Sequence, residues 1–319
     1  MINNIFYKSA ISLLSPPGKN AKLTTLIYHR VIPESDALFP STTTTERFNN
    51  ELTTLKSVFN VLPLSEAISH LKKGTLPARA ACITFDDGYA DNAEFATPLL
   101  KKHNLIATFF IATDYLNGGR MFNDTIIESI RRSPLKQIDL SAIGLNVLPI
   151  TTNSEKTATI EKTILHLKYL PAHERVDKAA QVAELSQYQG ELPNNLMMTT
   201  EQLVAMRKAG MEIGCHTASH PILANLSRED AYDDIAAGKQ FLEDLLKEKM
   251  TLFAYPNGKL GADYKAEQTA IIRELGFQGA VSTTFGAGSR KSDLFQLPRF
   301  TPWGDMNKFI PLLMRNLIH

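Results

Sequence analysis

The run Ala81-Cys82-Ile83-Thr84-Phe85 is apolar and rich in residues that favour extended backbone, and it stops abruptly on two carboxylates and a glycine, Asp86-Asp87-Gly88. It predicts a buried strand, so the fold must put this segment in its core and the two acids at the strand's end. Side chains alternate along a strand, which starts Asp86 and Asp87 in different directions. Gly88 lets the backbone turn sharply enough to bring both to one cavity. Two like charges held that close push their pKa values apart, which suits one to bind a cation while the other handles protons. Taken alone, Asp-Gly is ordinary turn chemistry, and a plain turn after a strand accounts for it.

The flanking sequence gives this strand its setting. Leu23 to Val31 alternates as a first core strand, with His29 at its C-terminal end, where α/β sheets and barrels carry their working residues. A lone histidine there is more often structural than catalytic. Phe48, Leu52, Leu55 and Phe59 mark one buried helical face, and Ala67, Ile68 and Leu71 a second. After the acidic strand, Phe95, Leu99 and Leu100 form a helix face and Ala107 to Ala112 another buried strand. Strand, helix and strand in succession argue for parallel pairing through right-handed crossovers.

Composition bounds the rest. The chain has 319 residues, 44% of them hydrophobic, enough for one large α/β domain or two smaller ones. Lys+Arg 34 against Asp+Glu 33 leaves a net charge of +1, so no field favours nucleic acid or an anionic membrane. The two cysteines, Cys82 and Cys215, support neither a disulfide framework nor a four-thiolate site and are expected as buried free thiols. Residues 1–20 have no basic n-region and a broken apolar run, a poor export signal that argues for a cytoplasmic or membrane-peripheral location. They fit a short amphipathic helix that docks on the domain or rests on a membrane; docking is expected, because basic charge is sparse. No apolar run of about 18 residues is present, so no transmembrane span is expected. The oligomeric state is not legible.

Residues 117–195 change character. Helical patterns (Ile126 to Ile130, Ile160 to Leu170, Val176 to Leu185) are broken by Gly144, Pro149, Pro171 and Gly190, with no good strand among them. They predict a helical insertion that shapes substrate access, or serves as a structural lid or dimer surface.

Met211 to Pro221 holds the second informative stretch, with His216 and His220 four apart, able to meet one metal across a helical turn or around a loop held by Pro221. Such spacings are common by coincidence. Together with the acidic strand end they make one carboxylate plus two imidazoles, a recurrent catalytic set that leaves positions open for water and substrate. Leu252 to Ala254 leads through Tyr255 into the turn Pro256-Asn257-Gly258, whose backbone N–H groups could face a developing negative charge. Tyr255, Pro256 and Trp303 are candidate substrate contacts, although Trp303 could equally fill core. Arg299 could pair with an active-site carboxylate or with a surface acid.

Thr84-Phe85-Asp86-Asp87-Gly88 and His216-Thr217-Ala218-Ser219-His220-Pro221 resemble, in the right order, the first two motifs of the polysaccharide deacetylases, the NodB-homology or carbohydrate esterase family 4 proteins. The resemblance covers roughly Leu23 to Trp303. It implies an α/β fold, a deformed (β/α) barrel of about seven strands spanning 21–319 with the helical insertion outside its common core. It also implies hydrolysis of N-acetyl groups from amino sugars of a bacterial polysaccharide or its precursor. One divalent metal would be held by Asp87, His216 and His220, Zn²⁺ first, with Co²⁺, Ni²⁺ or Mn²⁺ also suited. Asp86 would be the base.

Two departures from the family pattern bear on this. The arginine usually found two residues before the third-motif proline is Ala254 here, so the tuning of Asp86 must come from elsewhere, with Arg299 as the candidate. The usual late histidine has no counterpart, because His319 ends the chain. Some exopolysaccharide-modifying branches take that histidine from an early Tyr-His pair, which Tyr28-His29 resembles, so His29 would be the general acid and the N–H of Asn257 the oxyanion donor. Hydrolysis of another non-peptide C–N bond, or carbohydrate binding without turnover, are the alternatives.

Overall fold

The computed structural model describes residues 2–302 and 306–318. Helix α1 (Ile2–Leu14) leads into strand β1 (Lys22–Tyr28), helix α2 (Thr45–Val58), strand β2 (Asn60–Val61), helix α3 (Leu64–Lys73), strand β3 (Ala80–Phe85), helix α4 (Thr97–His103) and strand β4 (Thr108–Ile111). Helix α5 (Phe122–Arg132), strands β5 (Gln137–Asp139) and β6 (Val147–Pro149), and helices α6 (Asn153–Leu167) and α7 (Ala172–Leu185) follow. The chain then runs through α8 (Thr200–Lys208), β7 (Glu212–Cys215), α9 (Arg228–Leu246), β8 (Leu252–Ala254), α10 (Ala266–Glu274), β9 (Gly279–Val281), β10 (Gly288–Ser289) and α11 (Met306–Ile318).

Seven strands form a curled sheet in the order β10, β1, β3, β4, β7, β8, β9, parallel throughout except for β10 against β1. β2 and β4 share one edge of β3, β2 pairing Asn60 with Ala80 and β4 pairing Thr84 with Thr108. The two ends of the curl are joined by residues 297–300. Leu297 bridges Val281 and Phe300 bridges Leu26, with Phe300 N–H on Thr25 O at 2.8 Å and Ile27 N–H on Phe300 O at 3.0 Å. The result is a deformed (β/α) barrel, as the sequence resemblance implies.

Period-two alternation decides what each residue of β3 faces. Ala81, Ile83 and Phe85 turn outward into the layer between sheet and helices, which also holds Phe48, Leu52 and Leu55 from α2. Ala80 and Cys82 turn inward with Leu23, Phe110, Leu252 and Val281, and Leu64, Ala67, Ile68 and Leu71 of α3 pack on this same cluster. Glu212, at the start of β7, accepts the Leu64 N–H at 2.8 Å and so satisfies the N-terminus of α3. Both cysteines are buried and free.

Residues 117–195 carry three helices, α5, α6 and α7, with their own apolar cluster built on Ile126, Ile130, Ile138, Ile160 and Val182. The absence of strands expected there is corrected by β5 and β6, a three-residue antiparallel hairpin pairing Ile138 with Leu148. Two strands this short carry too little alternation to be read from sequence. Helix α1 packs against α2 and α11 and buries Ile11 completely. No helix among the described residues is long and apolar enough to cross a membrane.

Phe85 lies between two aromatic rings, stacked on Tyr28 at 5.3 Å and on Phe109 at 4.8 Å, with no exposed surface. Phe85→Ala is expected to cost roughly 3–5 kcal/mol, because the cavity between the two rings cannot collapse. Denaturant midpoints measure it, and a loss under about 1 kcal/mol would mean that the aromatic stack does not hold the strand in place.

Candidate active site

The inward face of β3 continues past the strand end, so Asp86 follows Cys82 and Thr84 into the barrel mouth. Asp87 would face outward by the same alternation. It is brought round because Asp87 itself, at φ 78°, and then Gly88, at φ 93°, adopt left-handed backbone. The turn expected of the glycine alone is therefore shared with an aspartate, at a cost that the surrounding contacts must outweigh.

The histidine segment is a loop and not a helical turn. Thr217 and His220 take φ of 68° and 51°, and the Thr217 hydroxyl accepts the His220 N–H at 3.0 Å. Asp234 on α9 holds the middle of the loop, accepting N–H groups of Ala218 at 2.9 Å and Ser219 at 3.1 Å. α9 can approach this closely because residue 238 is glycine. A Cβ there would lie 2.6 Å from the Thr217 backbone.

The outcome is a compact donor set. Nε2 of His216 is 3.5 Å and Nε2 of His220 3.4 Å from Oδ1 of Asp87, and one ligand atom from each of the three side chains lies within 4.8 Å of the others. Ligands about 2.1 Å from an ion at a tetrahedral angle stand about 3.4 Å apart, so the spacing fits a shared divalent cation. The tautomer agrees. Nδ1–H of His216 donates to the Ala254 carbonyl at 2.7 Å, which leaves Nε2 turned towards the carboxylate. A lone pair facing an anion needs a positive charge between them, as a proton or a metal.

Asp86 is treated differently. Arg299 grips it with both arms, Nη1 on Oδ1 and Nη2 on Oδ2, each at 2.7 Å, while its Nε donates to Ser282 O at 2.9 Å. Burial pushes the Asp86 carboxyl up, but the Arg299 charge, then His216 and the Arg299 hydrogen bonds, hold it below its usual range, so it is ionised at neutral pH. Burial also opposes the charge on Asp87, and the hydrogen bond that His216 donates when its Nε2 is protonated, with the charges of His29, His220 and His216, takes it well below the usual range. His220 is pushed down to about 4, by burial first.

His29 is exposed at the end of β1 and lines the same cavity, of about 210 Å³, as Asp86, Asp87, His216, His220 and Asn257. A second hollow of about 410 Å³ continues from His29 and Asp87 past Arg30, Tyr89 and Asn123. Asn257 is at φ 59°, and its N–H meets no acceptor among the described residues. Two of the candidate substrate contacts are corrected. Tyr255 is fully buried, stacked on Tyr264 at 3.7 Å with its hydroxyl on Phe295 O at 2.9 Å, and Pro256 is buried beside it, because strand alternation carries Tyr255 away from the cavity. Trp303 lies outside the described residues.

Sequence reasoning passed over the residues that brace His29. Arg30 Nε meets Asp91 at 2.7 Å, Asp91 also accepts the Val31 N–H at 3.2 Å, and the Asn92 amide donates to His29 O at 2.9 Å. Behind them the Tyr89 hydroxyl donates to Asp124 at 3.0 Å, and burial raises Asp124 to about 6. Asp91 and Asn92 close the acidic stretch, but nothing in their spacing signals the partner.

The sequence matches the family described as polysaccharide deacetylase over residues 73–280. YxkH of Bacillus subtilis (strain 168), named provisionally as a polysaccharide deacetylase, is 23% identical over 88% of this chain and 71% of its own. The poly-β-1,6-N-acetyl-D-glucosamine N-deacetylase of Staphylococcus aureus (strain MSSA476) is 33% identical over 93 residues, 29% of this chain and 31% of that relative. Among solved structures, the Streptococcus pyogenes deacetylase PplD in complex with acetate shares the fold, with a TM-score of 0.62 at 19% identity over 93% of this chain and 98% of that one.

Gly238→Ala improves helix propensity, yet its Cβ displaces the Thr217 backbone. It is expected to weaken retention of a divalent ion about tenfold or more, read as metal content after dialysis against graded chelator. Unchanged retention would mean that α9 does not set the histidine loop. For Asp124 the folded pKa is raised, so its contribution to stability is fully present below the unfolded value and is lost as pH rises to about 6. The stability of the wild type relative to Asp124→Asn should therefore fall by about 2 kcal/mol from pH 4 to pH 7, measured by denaturant titration. A pH-independent difference would reject a neutral Asp124.

Proposed function

The chain belongs to the polysaccharide deacetylase family, and we propose that it is a metal-dependent hydrolase that removes N-acetyl groups from amino sugars of a bacterial polysaccharide or its precursor. The observation that carries this is the meeting of Asp87, His216 and His220 within 3.5 Å contacts beside an Asp86 held by Arg299. A divalent ion bound by those three, Zn²⁺ first, supplies a Lewis acid for the amide carbonyl and a water whose pKa falls towards about 7.

The chain's own residues do the rest. Asp86, ionised and fixed by the guanidinium, takes the proton of the attacking water. Pairing with Arg299 makes it a weak base in isolation, but orients it and prevents it from competing for the cation. The Asn257 N–H, with no internal acceptor among the described residues, faces the oxygen on which charge develops. His29 stands at the solvent side of the cavity and delivers a proton to the leaving amine, without which the C–N bond breaks slowly. The hollow running from His29 past Arg30 and Tyr89 gives room for sugars beyond the one being cut. The similarity to a poly-β-1,6-N-acetyl-D-glucosamine deacetylase makes β-1,6-linked N-acetylglucosamine oligomers the first substrate to try.

Asp86→Asn should keep its metal and lose acetate release about 10²- to 10⁴-fold, the range for loss of a general base, whereas His216→Ala should lose metal and activity together. Chelation should abolish acetate release, and added Zn²⁺, Co²⁺, Ni²⁺ or Mn²⁺ should restore it. Acetate release that survives chelation, or an Asp86→Asn enzyme with wild-type turnover, would overturn the proposal.

A further inference from the structure

Arg175, near the N-terminus of α7, is only 4% exposed and lines the same cavity as the three metal-ligand candidates and Asp86. The other acids and the half-buried lysine there have partners. Asp86 has Arg299, Asp87 has the two imidazoles, and Lys168, on the same wall, faces Asp263 at 3.6 Å. Arg175 has no ion pair among the described residues. Its Nη1 reaches only the Lys168 carbonyl, at 3.4 Å, its plane lies 5.0 Å over the Phe122 ring, and its Nε is buried with no hydrogen-bond partner.

A buried guanidinium without a counter-charge is costly, and an apolar side chain would fill the same space more cheaply. A planar fork of donors in such a place matches a carboxylate or phosphate from a ligand. We propose that Arg175 recognises an anionic group, a carboxylate or a phosphate, that the glycan carries next to the acetamido group being hydrolysed. The inference rests on the deacetylase function proposed above and shifts its expected substrate from neutral N-acetylglucosamine oligomers to anionic amino-sugar glycans or glycan phosphates. It gives the inserted α7 a task, since no barrel strand supplies this cation.

Calorimetric titration of the full chain with N-acetylglucosamine, N-acetylmuramic acid and N-acetylglucosamine 1-phosphate tests it. At least one anionic probe should bind about tenfold or more tighter than the neutral sugar, and which one does so separates carboxylate from phosphate. In Arg175→Met the ratio should fall to within about twofold of one, while Arg175→Lys, which keeps the charge but not the fork, should retain part of it. If Arg175→Met does not fold, the wild-type ratio should still shrink as salt is raised from about 0.05 to about 0.5 M. Equal binding of all three probes, no binding of any, a salt-independent ratio, or a preference that persists in Arg175→Met would overturn it. Anion preference without acetate release from any acetylated oligomer would instead reject the deacetylase function and leave the anion site standing.

Discussion

The bidentate contact between Arg299 and Asp86 ties the structure together. The segment that carries Arg299 closes the curled sheet, bridging β9 through Leu297 and β1 through Phe300. A guanidinium with almost no exposed surface is tolerated inside a barrel only when its donors are taken up. Here two go to the carboxylate, one to the Ser282 carbonyl and one further contact to the Thr84 hydroxyl at 3.2 Å. The same contact that neutralises an acid at the end of β3 therefore also pins the last turn of the barrel against its centre.

Charge division follows from that pairing. Two neighbouring carboxylates without partners would share one proton between them. With one carboxylate committed to a guanidinium and the other facing two imidazoles, both can stay ionised, and the second is left for a cation. Neither role is set by the acids themselves; each is set by what the fold brings opposite.

Backbone conformation marks the same place. Asp87, His220 and Asn257 are non-glycine residues at positive φ that line one cavity, and Thr217, also at positive φ, lies buried in the histidine loop beside it. Each such position costs about 1–3 kcal/mol and persists only where neighbouring contacts over-determine it. Asp234 supplies those contacts for the histidine loop and the close packing at Gly238 supplies them from behind, whereas the acidic turn is held by hydrogen bonds such as Asp86 N–H on Tyr28 O at 3.0 Å.

The amino-acid order by itself determined the buried strands, the parallel succession of strands and helices, and the side-chain types at the ends of β1, β3 and β7, because these rest on short-range periodicity and on abrupt changes of polarity within a few residues. Through the family resemblance it also named Arg299 as the candidate partner of Asp86, but not the two-armed geometry of the contact. Tertiary structure alone decided that Tyr255 faces the core, that two three-residue strands pair inside the insertion, that Asp234 and Gly238 shape a loop some twenty residues before them, and that Arg175 stands unpaired over the cavity. Those outcomes depend on contacts between segments far apart in the chain. Their sequence signature is a single polar or small residue, and such a residue acquires its meaning only from the neighbour that folding puts against it.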